Sequence, residues 1–167
     1  MATKQENLVI AVLGSGVVGP EIYDLALQIG RLLAERGAII VCGGLGGVME
    51  AACRGAKEKG GITIGILPGT SRWDANPYVD YAVVTGMQDA RNVIIVRTAD
   101  AAIAVDGEYG TLSEIAFCLK LGVPVVSLAG WSFDPAIRVA STPEEAVEVA
   151  LSLAQSRRRR ENAWRSA

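Results

Sequence analysis

Histidine is absent from these 167 residues, which removes Ser-His-Asp and Cys-His catalysis together with histidine-ligated zinc. Whatever chemistry the chain carries rests on carboxylates, arginine, lysine, hydroxyls and backbone groups. Cysteine is scarce: Cys42, Cys53 and Cys118 are odd in number, lie far apart and form no C-x-x-C pair. Neither a disulfide framework nor a metal site is expected; buried free thiols are. No apolar run approaches the roughly 20 residues that cross a bilayer, and the polar segment Met1 to Asn7 lacks the regions of a signal peptide. A cytoplasmic protein without membrane contact is predicted. The net charge is only −2, and because residues 157–167 carry five arginines against Glu161, the body ahead of them holds −6. An acidic body argues against wrapping nucleic acid, and the short run Arg157 to Arg160 reads as a solvated helix end.

What the chain does have is apolar residues, half of the total, and 19 glycines. That length and composition suit one well-buried domain, taken here as residues 1–156, followed by the basic tail 157–167. Apolar β-type runs alternate with helical patterns. Leu8 to Leu13, Ala38 to Cys42, Ile62 to Leu67, Tyr81 to Val84, Ala101 to Val105 and Val123 to Leu128 read as strands. Glu21 to Arg36, Val48 to Lys59, a segment ending at Thr98, Leu112 to Leu121 and a segment opening at Ser141-Thr142-Pro143 read as helices, with Gly122 as a stop. Several strands are apolar along their whole length, as strands buried on both faces are. The predicted fold is therefore α/β, a single doubly wound, mostly parallel sheet with helices on both faces.

In such sheets ligands bind at the carboxyl ends of the strands, and three glycine turns follow strands here. The first, Gly14-Ser15-Gly16-Val17-Val18-Gly19, matches G-x-G-x-x-G. A dinucleotide site also needs a carboxylate at the end of the second strand, where this chain has Gly43-Gly44 instead. The second turn, Gly43-Gly44-Leu45-Gly46-Gly47, holds four glycines in five residues, a density that costs entropy unless backbone must approach something closely. The third, Asp106-Gly107-Glu108-Tyr109-Gly110-Thr111, joins a strand to a helix start and points N–H groups at an anion such as phosphate. Ligand-binding candidates are thus Gly14, Ser15, Gly16, Gly43, Gly44, Gly46, Gly47, Gly107, Gly110 and Thr111. Asp89 suits a helix N-cap, Arg91 in the first turn opposes the helix dipole and so implies an anionic partner, and the long loop Pro68 to Tyr78 suits a lid or an exposed connection. Thr111-Leu112-Ser113-Glu114 also has the letters of a capping box, which would occupy Glu114 without any substrate.

Gly43-Gly44-Leu45-Gly46-Gly47-Val48-Met49, Gly86-Met87 with Arg91, and Gly110-Thr111-Leu112-Ser113-Glu114 resemble the Lonely Guy family, long labelled lysine decarboxylase-like. The resemblance covers roughly Val9 to Leu128. It implies a phosphoribohydrolase that splits nucleoside 5′-monophosphates into base and ribose 5-phosphate, with Arg91 and Glu114 as the catalytic pair and Gly107, Gly110 and Thr111 holding phosphate. The family's Pro-Gly-Gly is Asp106-Gly107-Glu108 here, and Arg91 lies one residue further from Gly-Met. The run Gly-Met-Gln-Asp-Ala-Arg-Asn is similar to that of the molybdenum cofactor carrier proteins, non-enzymatic oligomers that hold a phosphorylated pterin. The resemblance therefore implies a phosphorylated small-molecule partner, with a nucleotide or molybdopterin as cargo rather than a resident cofactor. It also implies a homo-oligomer, dimer or tetramer; the apolar helix face Ala116 to Leu121, read from the residues themselves, is a candidate dimer contact. Pyridoxal chemistry is not expected: Lys4, Lys57, Lys59 and Lys120 fall at the terminus or on helices.

Overall fold

The computed structural model describes residues 7–165. Met1 to Glu6, read above for signal-peptide character, and the last two residues of the basic tail lie outside them. Seven strands form one sheet: β1 (Val9–Gly14), β2 (Ile39–Cys42), β3 (Thr63–Leu67), β4 (Tyr81–Val84), β5 (Ala101–Val105), β6 (Val125–Leu128) and β7 (Arg138–Ala140). Their order is β4-β3-β2-β1-β5-β6-β7, and every neighbouring pair is parallel. Five α-helices, α1 (Pro20–Glu35), α2 (Val48–Glu58), α3 (Asn92–Thr98), α4 (Tyr109–Leu121) and α5 (Pro143–Arg165), supply the crossovers and cover the sheet. The doubly wound α/β fold predicted from the sequence holds, with a Rossmann-like sheet that is parallel throughout.

Apolar burial explains the layers. Ile10, Val12, Ile40, Ile103 and Val105 pack with α1, α2 and α5 on one face; Ala11, Leu13, Val41, Ala102 and Ala104 pack with α3 and α4 on the other. Each fully buried branched side chain contributes about 1.5–3 kcal/mol of transfer free energy. The helix ends follow the sequence signals. Pro20 opens α1, and Gly122 ends α4 in the left-handed region at φ 66°. At the start of α5 the Glu145 amide donates to Thr142 Oγ1 (3.2 Å) while Glu145 Oε2 accepts from the Ser141 amide (2.7 Å). β7 escaped the sequence reading because a three-residue edge strand with one buried position has no periodicity to detect.

The arginine run departs from the solvated end expected of it. α5 continues through all four residues, and Arg157 Nη1 donates to the Ala99 carbonyl at 2.9 Å. Arg158 forks onto Asp100, with Nε to Oδ1 at 2.8 Å and Nη2 to Oδ2 at 2.7 Å. Asp100 Oδ2 also accepts from the Val9 amide at 2.7 Å, so one carboxylate ties α5 to the entrances of β1 and β5. Arg159 and Arg160 stay exposed. Replacing Asp100 with alanine removes both carboxylate acceptors of the Arg158 fork, which keeps the Asn7 carbonyl, and leaves the Val9 amide without its acceptor. The expected cost is about 3 kcal/mol, measurable as a lower urea midpoint with unchanged slope.

All three cysteines are free and buried, and no described helix is long and apolar enough to cross a membrane.

Candidate functional site

The chain leaves β1 toward one side of the sheet and reaches β5 on the other, so strand order reverses between these two neighbours. Loops at the carboxyl ends of such a pair diverge and leave a crevice. A cavity of about 180 Å³ occupies it, lined by Gly14 at the end of β1 and Ser15 and Gly16 after it, Glu108, Gly110, Thr111 and Glu114 after β5, Asp89, Arg91 and Asn92 before and at the start of α3, and Met49 of α2. The cavity thus unites the sequence candidates Gly14, Ser15, Gly16, Arg91, Gly110, Thr111 and Glu114.

Two of the expected local roles change. α3 is entered through a 3₁₀ turn, Gln88–Arg91, and no side chain caps it, so Asp89 is a lining residue and not an N-cap. α4 starts at Tyr109, two residues before Thr111, again with no side-chain cap. Thr111 is then the third helical residue, and the capping box suggested by its letters does not form. The cause is the turn after β5: Asp106 and Gly107 take φ of 52° and 117°, which swings the chain straight into the helix. A side chain at Gly107 would stand 2.5 Å from Thr111 Cβ, and Trp131 Nε1 donates to the Gly107 carbonyl at 3.1 Å, pinning the turn.

Freed from capping, Glu114 is buried with 7% of its surface exposed. Among the described residues its side chain makes no hydrogen bond or ion pair. Burial pushes its carboxyl up to about 7, opposed by the positive charge of Arg91. Arg91 is equally buried, at 8% exposure. One of its terminal nitrogens donates to Asn92 Oδ1, and its Nε has no hydrogen-bond partner. Asn92 Nδ2 donates to Ser113 Oγ at 3.0 Å, and Ser113 Oγ to the Gly110 carbonyl at 2.7 Å. This chain ties the guanidinium to the first turn of α4. A buried cation and a buried carboxyl with unused polar atoms, facing one cavity, form the arrangement expected where a polar ligand supplies the missing partners.

Gly43, Gly44, Gly46, Gly47 and Gly107 are not among the lining residues. They stand behind it, in close packing. A Cβ at Gly43 would sit 2.8 Å from a terminal nitrogen of Arg91, so the bare backbone there makes room for the guanidinium. At Gly44 it would meet Leu67, at Gly46 the Gly16 carbonyl and at Gly47 the Ser15 carbonyl. Met49, Asn92, Asp89 and Glu108 also line the cavity, beyond the ligand-binding candidates that the sequence offers. The neighbourhood of Arg91 and of the third turn was the available signal for three of them. The long loop between β3 and β4 contains a short 3₁₀ turn, Arg72–Asp74, and Trp73 in it is exposed. Its Asn76 is instead buried and holds the second glycine turn, donating from Nδ2 to the Leu45 carbonyl at 2.9 Å. Lys57 and Lys59 pair with Asp80 and Glu35, away from the cavity.

An uncharacterized protein of Archaeoglobus fulgidus is 48% identical over 143 residues, covering 86% of this chain and 94% of that one. The cytokinin riboside 5′-monophosphate phosphoribohydrolase LOG of rice, Oryza sativa subsp. japonica, is 34% identical over 96 residues, 55% of this chain and 39% of its own length. This chain therefore spans well under two thirds of that relative. Among solved structures, the molybdenum cofactor binding protein of Rippkaea orientalis superposes with a TM-score of 0.85 at 36% identity, covering 90% of this chain and 99% of that one. The SLOG cluster4 family matches residues 7–158, and the chain belongs to that family, within the Lonely Guy-like superfamily that includes the molybdenum cofactor carriers.

Proposed function

We propose that the cavity between β1 and β5 binds a nucleoside 5′-monophosphate and that the chain hydrolyses its N-glycosidic bond. The observation that carries this reading is Glu114: a carboxyl without a hydrogen bond, buried, raised to about 7 and facing the cavity beside Arg91. A general base is most effective with a pKa near the working pH. In the proposed step Glu114 takes a proton from water as that water's oxygen bonds to C1′. The C1′–N bond breaks, its electron pair leaves with the base, and protonation of the base completes the products, free base and ribose 5-phosphate. Positive charge develops on the ribose during this step, and a carboxylate close by stabilises it. Arg91 offers a charged donor fork to the phosphate or the ribose hydroxyls, and the first-turn amides of α4 with the Gly14-Ser15-Gly16 backbone offer further donors to phosphate.

A second reading has its own support. The match to a molybdenum cofactor binding protein runs the whole length of that protein, whereas the phosphoribohydrolase match covers part of each chain. In this reading the same cavity holds a phosphorylated pterin as cargo, with no bond broken. Incubation with a panel of nucleoside 5′-monophosphates, followed by chromatography of free base, separates the two. Base release that is lost in Glu114→Gln supports hydrolysis, with kcat/KM rising through pH 7 as the carboxyl of the free protein deprotonates. Binding without release, in parent and variant alike, supports the carrier. Failure of every phosphorylated nucleotide and pterin to bind overturns both.

A further inference from the structure

The cavity is poor in cations for a phosphate site. Three carboxylates, Asp89, Glu108 and Glu114, line it against the single guanidinium of Arg91. Glu114 sits at depth, but Asp89 and Glu108 are exposed, and among the described residues their side chains have no hydrogen-bond or ion-pair partner. Two free acceptors beside a buried cation whose Nε is itself unpartnered describe a site divided by polarity. Arg91 and the backbone amides suit the anionic end of a ligand; Asp89 and Glu108 suit hydrogen-bond donors on its other end.

Size points the same way. A volume of about 180 Å³ is below the roughly 300 Å³ at which pockets for whole small molecules begin. A nucleotide-sized ligand thus keeps part of itself at the mouth. Exposed apolar side chains neighbour the lining residues in sequence without lining the cavity themselves: Tyr109 between Glu108 and Gly110, Val17 next to Gly16, and Met87 two residues before Asp89. An unpartnered tyrosine ring at 84% exposure offers a face for a planar ring. The part of the ligand at the mouth is then flat, apolar on its faces and rich in N–H donors along its edge.

Resting on the nucleotide- or pterin-binding reading above, we infer that Asp89 and Glu108 select ligands with a 2-amino-4-oxopyrimidine edge, the edge shared by guanine and pterins. That edge places a ring N–H and an amino N–H side by side, and a carboxylate accepts both in parallel. Adenine and cytosine place a lone-pair nitrogen beside their amino group, which sets acceptor against acceptor. Uracil has one N–H flanked by two carbonyls, and hypoxanthine keeps the ring N–H but loses the amino group.

The test is calorimetric titration of the full chain with GMP, IMP, AMP and 6-hydroxymethylpterin monophosphate at neutral pH, repeated with Asp89→Asn/Glu108→Gln. Hydrogen bonds to a charged acceptor are strong enough for a preference of about 10-fold or more. GMP, the pterin or both are expected to bind at least that much more tightly than IMP and AMP. The double variant should lose the preference by weakening the favoured ligand most and IMP, which keeps one N–H, less, while AMP is unchanged or improved, since the variant also removes negative charge. Tight binding of the pterin alone identifies a pterin as the source of the edge, and tight binding of GMP alone a nucleotide. Equal affinity for GMP, IMP and AMP, with no advantage for the pterin, overturns the selectivity while leaving the phosphate site in place. No binding of any of the four overturns the site reading as well.

Discussion

Glu114→Gln is expected to melt several degrees above the parent at pH 8 while losing base release. The carboxyl titrates near 7 in the folded chain against 4.5 as a free side chain, so its folded-state pKa is raised. Below pH 4.5 both folded and unfolded forms carry the proton and the group adds nothing to the pH dependence. Between 4.5 and 7 the unfolded chain releases its proton first, and stability falls as pH rises. Above 7 the folded chain holds a buried carboxylate, at a cost of about 3 kcal/mol for a difference of roughly 2.5 pKa units. Glutamine fills the same volume without the charge, and it inherits a position that already lacks hydrogen bonds. For a chain of this length 3 kcal/mol corresponds to about 6–12 °C, and loss of a general base to about 10²- to 10⁴-fold in rate. The control is pH 4, where parent and variant should melt together. An equal gap at pH 4 and pH 8 would assign the effect to amide packing and remove the charge from the argument. A chain that gives up stability to keep an ionisable group in a cavity is behaving as functional sites do.

The sheet and the helices around it were legible because their signals are local and redundant. Ala101 to Val105 is apolar at every position and bounded by Asp100 and Asp106, and the structure places β5 over those same residues. Six of the seven strands carried such a signal; β7 did not, being three residues at an edge. The crevice was legible as well, since glycine turns after parallel strands converge wherever strand order reverses. Division of labour within the turns was not. Nothing in the letters Gly43-Gly44 distinguishes backbone that faces a ligand from backbone that makes room for Arg91, a side chain 48 positions further along the sequence. Nor did the capping-box letters at Thr111 and Glu114 reveal that the helix begins at Tyr109, because that start is set by backbone torsions at Asp106 and Gly107 and not by the side chains that follow. Both depend on tertiary contacts, which a one-dimensional pattern does not encode.

Gly47→Ala should show how far the second turn controls the first. Gly47 takes φ 61° and ψ −127° at the entrance to α2, a conformation that costs an alanine about 1–3 kcal/mol. An added Cβ would also stand 2.2 Å from the Ser15 carbonyl oxygen and 2.6 Å from the Gly16 carbonyl carbon. That oxygen accepts from the Val48 amide at 3.0 Å, so Ser15 cannot retreat without giving up the bond that joins the two turns. Overpacking of this kind costs a further 1–3 kcal/mol or so, for a total near 4 kcal/mol and a fall in melting temperature of about 8–16 °C. Ser15 and Gly16 line the cavity and Gly47 does not, yet displacement of those two residues should weaken nucleotide or pterin phosphate binding about 10-fold or more. Gly60→Ala separates the two contributions. Gly60 also has positive φ, 70°, but nothing lies within 4 Å of its Cβ position, so alanine there should cost only the backbone term and leave binding unchanged. If both variants lose stability equally and neither weakens the ligand, the second turn is a steric hinge of the fold alone. If Gly47→Ala alone weakens binding, the glycines behind the cavity hold its wall in place.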